Sequence, residues 1–369
     1  MQHLQPNTTL QGGKYRIERV LGQGGFGITY LAVQTSLQRK VAVKEFFMEK
    51  FCARGYDTHT MDVPSTGGRN EVEQYRRKFI KEANNLARLN HPHIISVIEV
   101  FEENGTVYYS MPYLPGGSLL EYVKVNGVLS ESEAMKYIKQ IAGALKYMHD
   151  DMHICHFDVK PANILLDGKG NAILIDFGIS KNYDDRGFET SMTPVGVSEG
   201  YAPIEQYQRN VEEFSPASDV YALGATLYFL LHGKRPVNAP NRAGGTALMM
   251  RRTLSSNIKD IINASMKVSK NDRAKSVDVF INEGFLSEQK FNVADTPIDD
   301  ERTLIDNPSG HKYSSGVTEN TKSTSLWKYV ILALLVIALI VGYIYYSNSR
   351  SPLSMPQIEK ASYQDYFDK

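Results

Sequence analysis

Cysteine is nearly absent. The two present, Cys52 and Cys155, cannot build a disulfide framework, and a reduced, cytosolic setting is the simpler reading. Cys155 reads as a small packed residue rather than a reactive thiol. Neither sign of charge is in excess: Lys+Arg and Asp+Glu stand at 41 each, so bulk charge gives no argument for nucleic acid or an acidic partner. The segment Met1 to Lys14 lacks the apolar core of a secretion signal. No internal repeat is visible.

What remains is an ordinary globular composition, 42% hydrophobic and 22% charged over 369 residues. That length fits two domain-sized units, or one large two-lobed domain with appendages. One apolar run stands out. Tyr329 to Tyr346 carries no charge and is about the minimum length for a membrane span. Lys328 and Arg350 bracket it, and Trp327, Tyr329, Tyr343, Tyr345 and Tyr346 take the positions of interfacial aromatics. A core helix would not be apolar on every face and follow the polar, aperiodic stretch Ser287 to Ser325. The expectation is a single transmembrane helix over 327–346.

The chain is organised around His156-Phe157-Asp158-Val159-Lys160-Pro161-Ala162-Asn163, which runs into the apolar strand Ile164-Leu165-Leu166. A second apolar strand, Ala172-Ile173-Leu174-Ile175, is followed by Asp176-Phe177-Gly178. Two carboxylates (Asp158, Asp176), an ammonium (Lys160) and an amide (Asn163) are thereby set in one place. Any one of them alone is more often a turn former or a solvated charge. The ordered set rarely arises by chance. It suits phosphoryl transfer, whose transition state spreads charge over phosphoryl oxygens and needs cations and a positioned hydroxyl.

Upstream, Gly22-Gln23-Gly24-Gly25-Phe26-Gly27 lies between two alternating, strand-like flanks. A G-x-G-x-x-G pattern is weak evidence by itself, because it also marks dinucleotide folds and simple turns. Here a strand follows where those folds need a helix, so the loop is read as a hairpin whose backbone can lie over phosphates. Val41-Ala42-Val43-Lys44 supplies the strand lysine such a loop requires. The segment Phe46 to Tyr75 reads as a polar surface insertion, and Val72 to Leu89 as a helix with Phe79, Ala83, Leu86 and Leu89 on one face. Glu82 falls in that helix within reach of Lys44. Ile94 to Phe101 and Val107 to Met111 read as strands about the turn Glu102-Glu103-Asn104-Gly105, and Pro112 to Gly117 as a hinge. Ser130 to Glu133 reads as a capping box opening an amphipathic helix to about Asp150, with Met135, Ile138, Ile141, Leu145 and Met148 inward. Ser215-Pro216 opens another apolar helix, Ser as cap and Pro in the first turn. Its Asp219 is a charge at the start of an apolar run. A buried Asp must be hydrogen-bonded, so it is expected to brace the catalytic-loop backbone.

With these residues in hand, the sequence resembles the eukaryotic-like Ser/Thr protein kinases, in particular bacterial members with one transmembrane segment. The motifs D-x-x-x-x-N (Asp158 to Asn163), Asp176-Phe177-Gly178 and the strand lysine carry the resemblance over residues 14 to 286. It implies an α+β, two-lobed fold, a small β-rich lobe and a large helical one, with ATP and Mg²⁺ (or Mn²⁺) between them. By motif position, Gly22, Gly24 and Gly27 cover the phosphates and Lys44 pairs with Glu82. Leu21, Thr29, Ala42, Met111, Pro112, Leu114 and Leu165 line the nucleotide site. The Pro112 carbonyl can still accept from the adenine amino group, and the Leu114 N–H can donate to the ring. Asp158 accepts or orients the substrate hydroxyl, Lys160 steadies the γ-phosphate, and Asn163 and Asp176 hold the metal. Pro203-Ile204-Glu205 matches the end of the activation segment, with Glu205 paired to Arg273. Ser198 stands where the family has a Thr that contacts the catalytic Asp and Lys, which favours Ser/Thr acceptors in protein substrates, the chain itself included.

Three departures stand out. Phe157 replaces the Arg of H-R-D, which puts control by activation-loop phosphorylation in doubt. Thr29 replaces a Val, and Ile204 the middle Pro of A-P-E. None removes a catalytic group. A membrane-anchored pseudokinase scaffold predicts loss of a lysine, base or metal ligand, and none is lost; a small-molecule kinase usually lacks the activation segment that is present here. The expected order is a tail (1–13), the kinase domain (14–286), a flexible linker (287–326), the span (327–346) and a short extracytoplasmic tail (347–369). ATP places the kinase domain on the cytoplasmic side of the cell membrane, and Lys312, Lys322 and Lys328 before the span agree weakly, against Arg350 and Lys360 after it.

Overall fold

Six strands, the longer ones alternating in hydrophobicity, build one antiparallel sheet, and longer apolar stripes build the helices. The computed structural model describes residues 2–55, 59–63, 68–177, 181–182 (backbone only), 197–209 and 214–282. The chain divides into two units, Met1–Ile298 and Asp299–Lys369; all described residues belong to the first. The expected linker, span and outer tail therefore lie outside the described residues. Among the described residues no helix is long and apolar enough to cross a membrane.

Strands β1 (Thr9–Leu10), β2 (Tyr15–Gly24), β3 (Gly27–Gln34) and β4 (Arg39–Phe46) are followed by a small hairpin, β5 (Ala53–Arg54) and β6 (Met61–Asp62). Helix α1 (Arg69–Arg88), then β7 (Glu99–Glu103) and β8 (Thr106–Pro112), complete the smaller lobe. The main sheet has the order β1-β2-β3-β4-β8-β7. Its core gathers Tyr15, Ile17, Tyr30, Val43, Phe46, Phe79, Val107 and Tyr108. On α1, Val72, Phe79, Glu82, Ala83 and Leu86 are buried, the i, i+3, i+4 stripe of a helix lying on a sheet. Glu82 belongs to that stripe, so the helix turns a carboxylate inward.

The stretch after β4 corrects the expected polar surface insertion. Phe46, Phe47, Met48, Cys52 and Met61 are buried in the lobe core, because polar residues between them mask a set of apolar anchors. Arg54 reaches Glu45, 0% exposed, at 2.6 Å, and the Tyr30 and Tyr108 hydroxyls donate to the same carboxylate at 2.7 and 2.6 Å. The hairpin is thus tied to the sheet by a buried charge whose lone pairs are satisfied. The expected strand from Ile94 is shorter, starting at Glu99; Ile94 instead bridges to Leu174, linking the two lobes.

The larger lobe begins with α2 (Leu119–Asn126) and α3 (Glu131–Asp150), then β9 (Ile154–Cys155) and a 3₁₀ turn at Pro161–Asn163. The hairpin β10 (Ile164–Leu166) with β11 (Ala172–Leu174) and the strand β12 (Lys181–Asn182) follow. Next come α4 (Ile204–Gln208), α5 (Pro216–His232), α6 (Ala239–Ala243), α7 (Ser256–Ser265) and α8 (Asp278–Ile281). Helix α5 is buried from Ala217 to Leu231 and forms the axis of this lobe; each fully buried Leu there contributes about 1.5–3 kcal/mol. Two cap assignments change. Ser130 accepts from Glu133 N, but the reciprocal capping box sits one helix earlier, at Ser118 and Glu121. Ser215 occupies the N-cap position of α5 without capping through its side chain, whose buried hydroxyl finds no partner among the described residues. Pro216 is at the first turn, where its missing N–H costs nothing.

Candidate active site

The stretch after β9 is held from behind. Asp219, at the first turn of α5 and 0% exposed, accepts from His156 N at 2.8 Å and from Phe157 N at 2.7 Å. His149 Nε2 lies 2.8 Å from the same carboxylate. His149, Cys155 and Asp219 bring three potential ligand atoms within 4.8 Å, but both Asp219 oxygens are taken by backbone donors, so the cluster reads as a brace. With two successive N–H groups anchored, Phe157 adopts φ +64°, a region that costs an L-residue roughly 1–3 kcal/mol. Its ring packs against Phe214 at 5.3 Å and its carbonyl accepts from Gln206 Nε2 at 2.8 Å. The position that the resemblance associates with an arginine is filled by an apolar contact.

The turn leads directly into Asp158, whose carboxylate is held by side chains on both oxygens. Its Oδ2 accepts from Lys160 Nζ at 2.7 Å and from Asn163 Nδ2 at 3.0 Å, and its Oδ1 from the Ser198 hydroxyl at 2.5 Å. Lys160 also donates to Ser198 Oγ at 3.0 Å. Asn163 commits its Nδ2 to Asp158, including the Asp158 carbonyl at 2.9 Å, which keeps its carbonyl oxygen as the available donor atom. Three residues of one loop and Ser198, 40 positions beyond Asp158, are thus closed into one network.

Asp176 follows β11 and also has a positive φ, +64°. It faces Lys44 at 3.3 Å, and Lys44 faces Glu82 of α1 at 2.9 Å. Burial opposes the Lys44 charge, but Asp176 and Glu82 outweigh it and hold the ammonium well above its ordinary range. In return Lys44 outweighs burial at Asp176 and holds that carboxyl low. Because its folded value lies below the ordinary 3.8, the charge of Asp176 contributes stability above that value, and the contribution is lost only as pH falls through the lower folded value. The stability difference between wild type and Asp176→Asn, read from urea unfolding, should stay constant from about pH 8 to about pH 5 and shrink only below about pH 4. A difference that disappears near neutral pH would contradict this.

The residues expected around a nucleotide fall along one edge of the sheet and its crossing strand. Leu21, Gly22 and Gly24 lie at the end of β2, and Gly22 pairs with Thr29 across the hairpin. Thr29 pairs in turn with Lys44, Ala42 with Met111, and Val41 with Pro112. Past Pro112 and Leu114, Gly116 N donates to Leu166 O at 3.0 Å, and Ser118 bridges to Leu165, so the linking segment is clamped to β10. A Cβ at Gly22 or Gly24 would meet nothing within 4 Å, whereas one at Gly27 would stand 2.6 Å from the Glu45 carbonyl oxygen. Gly27 is therefore demanded by the fold itself, and Gly22 and Gly24 leave open space beside the backbone. That space, the Lys44 cation, and the hard oxygen donors of Asp176 and Asn163 fit a polyphosphate with a divalent metal.

Elsewhere the activation-segment end is locked. Arg273 donates to Glu205 Oε1 at 2.7 Å and to Oε2 at 3.1 Å, with both side chains 0% exposed. Sequence reasoning named Asp219, Glu205, Arg273 and Ser198, and the structure places each as expected. It missed Tyr109, whose hydroxyl donates to Glu82 Oε1 at 2.8 Å, and Gln206. Strand alternation could have put Tyr109 on the Lys44 face, but only the β4–β8 register brings the two together.

The model of the protein kinase domain family matches residues 15–286. The chain belongs to the protein kinase family. Serine/threonine-protein kinase PrkC of Bacillus subtilis (strain 168) is 34% identical over 224 residues, 61% of this chain and 31% of that protein. Serine/threonine-protein kinase B of Synechocystis sp. is 30% identical over 285 residues, 73% of this chain and 46% of the relative. The chain thus spans less than half the length of these curated relatives. Among solved structures, the PpkA-294 apo form has a TM-score of 0.66 at 24% identity, covering 77% of this chain and 99% of that one, a likeness that speaks for the fold. The kinase fold, with its β-sheet lobe and helical lobe, is the architecture expected from the sequence.

Proposed function

We propose that the kinase domain transfers the γ-phosphate of Mg-ATP to Ser and Thr hydroxyls of proteins, its own chain included, and that residues 327–346 anchor it in the cell membrane with the domain on the cytoplasmic side. The observation that carries the catalytic half is the Asp158–Lys160–Asn163–Ser198 network, in which a lysine, an amide and a hydroxyl fix the two oxygens of one carboxylate while the charge of the same lysine acts on Asp176. In this reading Asp158 orients the acceptor hydroxyl and takes its proton, Lys160 meets the γ-phosphate, and Lys44, set by Glu82, meets the α/β-phosphates. Asn163 and Asp176 would hold the metal, which neutralises charge building on the phosphoryl oxygens. Leu21, Thr29, Ala42, Met111 and Leu165 would pack on the adenine, and the Pro112 carbonyl and Leu114 N–H would pair with its edge. The homologues named above, themselves Ser/Thr kinases by name, support the acceptor class, as does Lys160 with Ser198. The anchoring rests on the uncharged run and its aromatic and basic flanks.

The full chain in detergent, given Mg-ATP and a generic Ser/Thr protein substrate, should label both itself and the substrate on Ser or Thr. Tight ATP binding without transfer would favour a scaffold instead. In cells the intact chain should sediment with membranes and the chain lacking 327–346 should not; an intact chain in the soluble fraction would overturn the anchor.

A further inference from the structure

Two neighbouring tyrosines on β8 serve opposite faces of the sheet. Tyr108 lies across from Glu45 and Tyr109 across from Lys44, and successive strand side chains leave on opposite sides. Tyr108 donates to Glu45 Oε1 at 2.6 Å, in the cluster that holds the β5–β6 hairpin. Tyr109 donates at 2.8 Å to Glu82 Oε1, the same oxygen that accepts from Lys44 at 2.9 Å. Tyr109 is 1% exposed. Burial, and then the charge of Glu82, raise its phenol well above the ordinary value, so it remains a donor across the working pH range. The Lys44 ammonium lies 5.6 Å from the Tyr109 ring centroid, and Phe79 of α1 packs on that ring at 5.1 Å.

Glu82 is a long side chain on a helix that reaches the sheet from one side, and holding it in one rotamer costs conformational entropy. A second donor on the same oxygen, fixed to a central strand, restricts it before any nucleotide arrives. Lys44 has Asp176 as a competing partner, so without that restraint the lysine can settle on Asp176 alone. We propose that Tyr109 is a positioning residue: its hydroxyl holds Glu82, and with it α1, engaged on Lys44 in the nucleotide-free protein. The idea rests on the kinase reading only for what Lys44 binds.

The test uses the full chain in detergent with Tyr109→Phe, which removes one oxygen from a retained ring, and with Tyr108→Phe as a matched loss of a buried hydroxyl on the other face. The readouts are hydrogen exchange of the α1 amides without nucleotide, Mg-ATP affinity by titration calorimetry, and kcat and KM for ATP. Tyr109→Phe should speed α1 exchange and weaken Mg-ATP binding about tenfold, the size of one hydrogen bond to a charged group. In a Glu82→Gln background the same change should alter binding less than about threefold, because the two residues act as one unit. Tyr108→Phe should lower the melting temperature and leave exchange at α1 and ATP affinity as in wild type. The proposal is overturned if Tyr109→Phe leaves α1 exchange unchanged, if its effect adds in full to that of Glu82→Gln, or if Tyr108→Phe does the same. A wild type that transfers no phosphate would remove the kinase reading, and α1 exchange would still decide the role of Tyr109.

Discussion

Asp158→Asn should lower the rate of phosphate transfer by about 10²–10⁴-fold, the usual worth of a positioned general base, while Mg-ATP binds as in wild type. The substitution keeps the shape of the side chain and removes its capacity to take a proton. It also turns one acceptor into a donor. Both oxygens of Asp158 accept from Lys160, Asn163 and Ser198, so a carboxamide would set an N–H against at least one of these donors. The network should loosen around Lys160 and Ser198, adding misplacement of the acceptor hydroxyl to the loss of the base. The ATP contacts proposed for Lys44 and the glycine hairpin, in the other lobe, should be spared. Rapid-quench measurement of transfer alongside calorimetric ATP binding separates the two effects. Retention of more than about a third of the wild-type rate would remove Asp158 from the role of base.

The second large effect should be on stability. Arg273→Met is expected to cost about 3–5 kcal/mol, because it leaves a buried carboxylate without its partner, and to lower the melting temperature by roughly 10 °C. Arg273 uses its guanidinium fully: besides Glu205 it donates to the carbonyls of Ala217 at 2.9 Å, Val268 at 3.0 Å and Lys267 at 3.0 Å. Removing it leaves these acceptors and Glu205 in the core, with the Ser218 hydroxyl, at 2.8 Å, as the remaining donor to Glu205. Glu205 sits on α4, whose Gln206 holds the Phe157 carbonyl. The damage should therefore reach the catalytic loop, and kcat should fall at temperatures well below the transition. Glu205→Gln, which keeps an acceptor of the same shape, should cost less. A melting shift under about 2 °C for Arg273→Met would show that the pair contributes little.

Local chemistry made much of the site legible. Asp158, Lys160 and Asn163 lie within one short loop, so their spacing alone announces a network. Asp219 was readable because a charge at the start of a long apolar helix has to find donors, and the donors proved to be the His156 and Phe157 amides. The hairpin insertion was misread for the opposite reason. Phe46, Phe47, Met48, Cys52 and Met61 have no regular period and are diluted by polar neighbours, and burial without periodicity leaves no pattern to count. Ser130 caps its helix through Glu133 N without the reciprocal half of a capping box, and Ser215 does not cap through its side chain, because a cap needs a side-chain rotamer as well as a residue type.

The sequence by itself determined the strands that carry the glycine hairpin and Lys44, the helices that carry Glu82 and Asp219, the loop that carries Asp158, and the identity of the groups around it, because these depend on alternation, helical stripes and short spacings. Only the tertiary structure decided which distant groups meet. Tyr109 reaches Glu82 because β4 and β8 pair in one register, and a shift of one residue would send its hydroxyl to the other face. Ser198 closes on Asp158 and Lys160 because the segment ending in α4 is locked by Arg273 onto the helical lobe. Phe157 takes a positive φ where its own amide and that of His156 are both held by a carboxylate more than sixty residues away. Contacts of that kind are set by packing of whole elements, which no local pattern encodes.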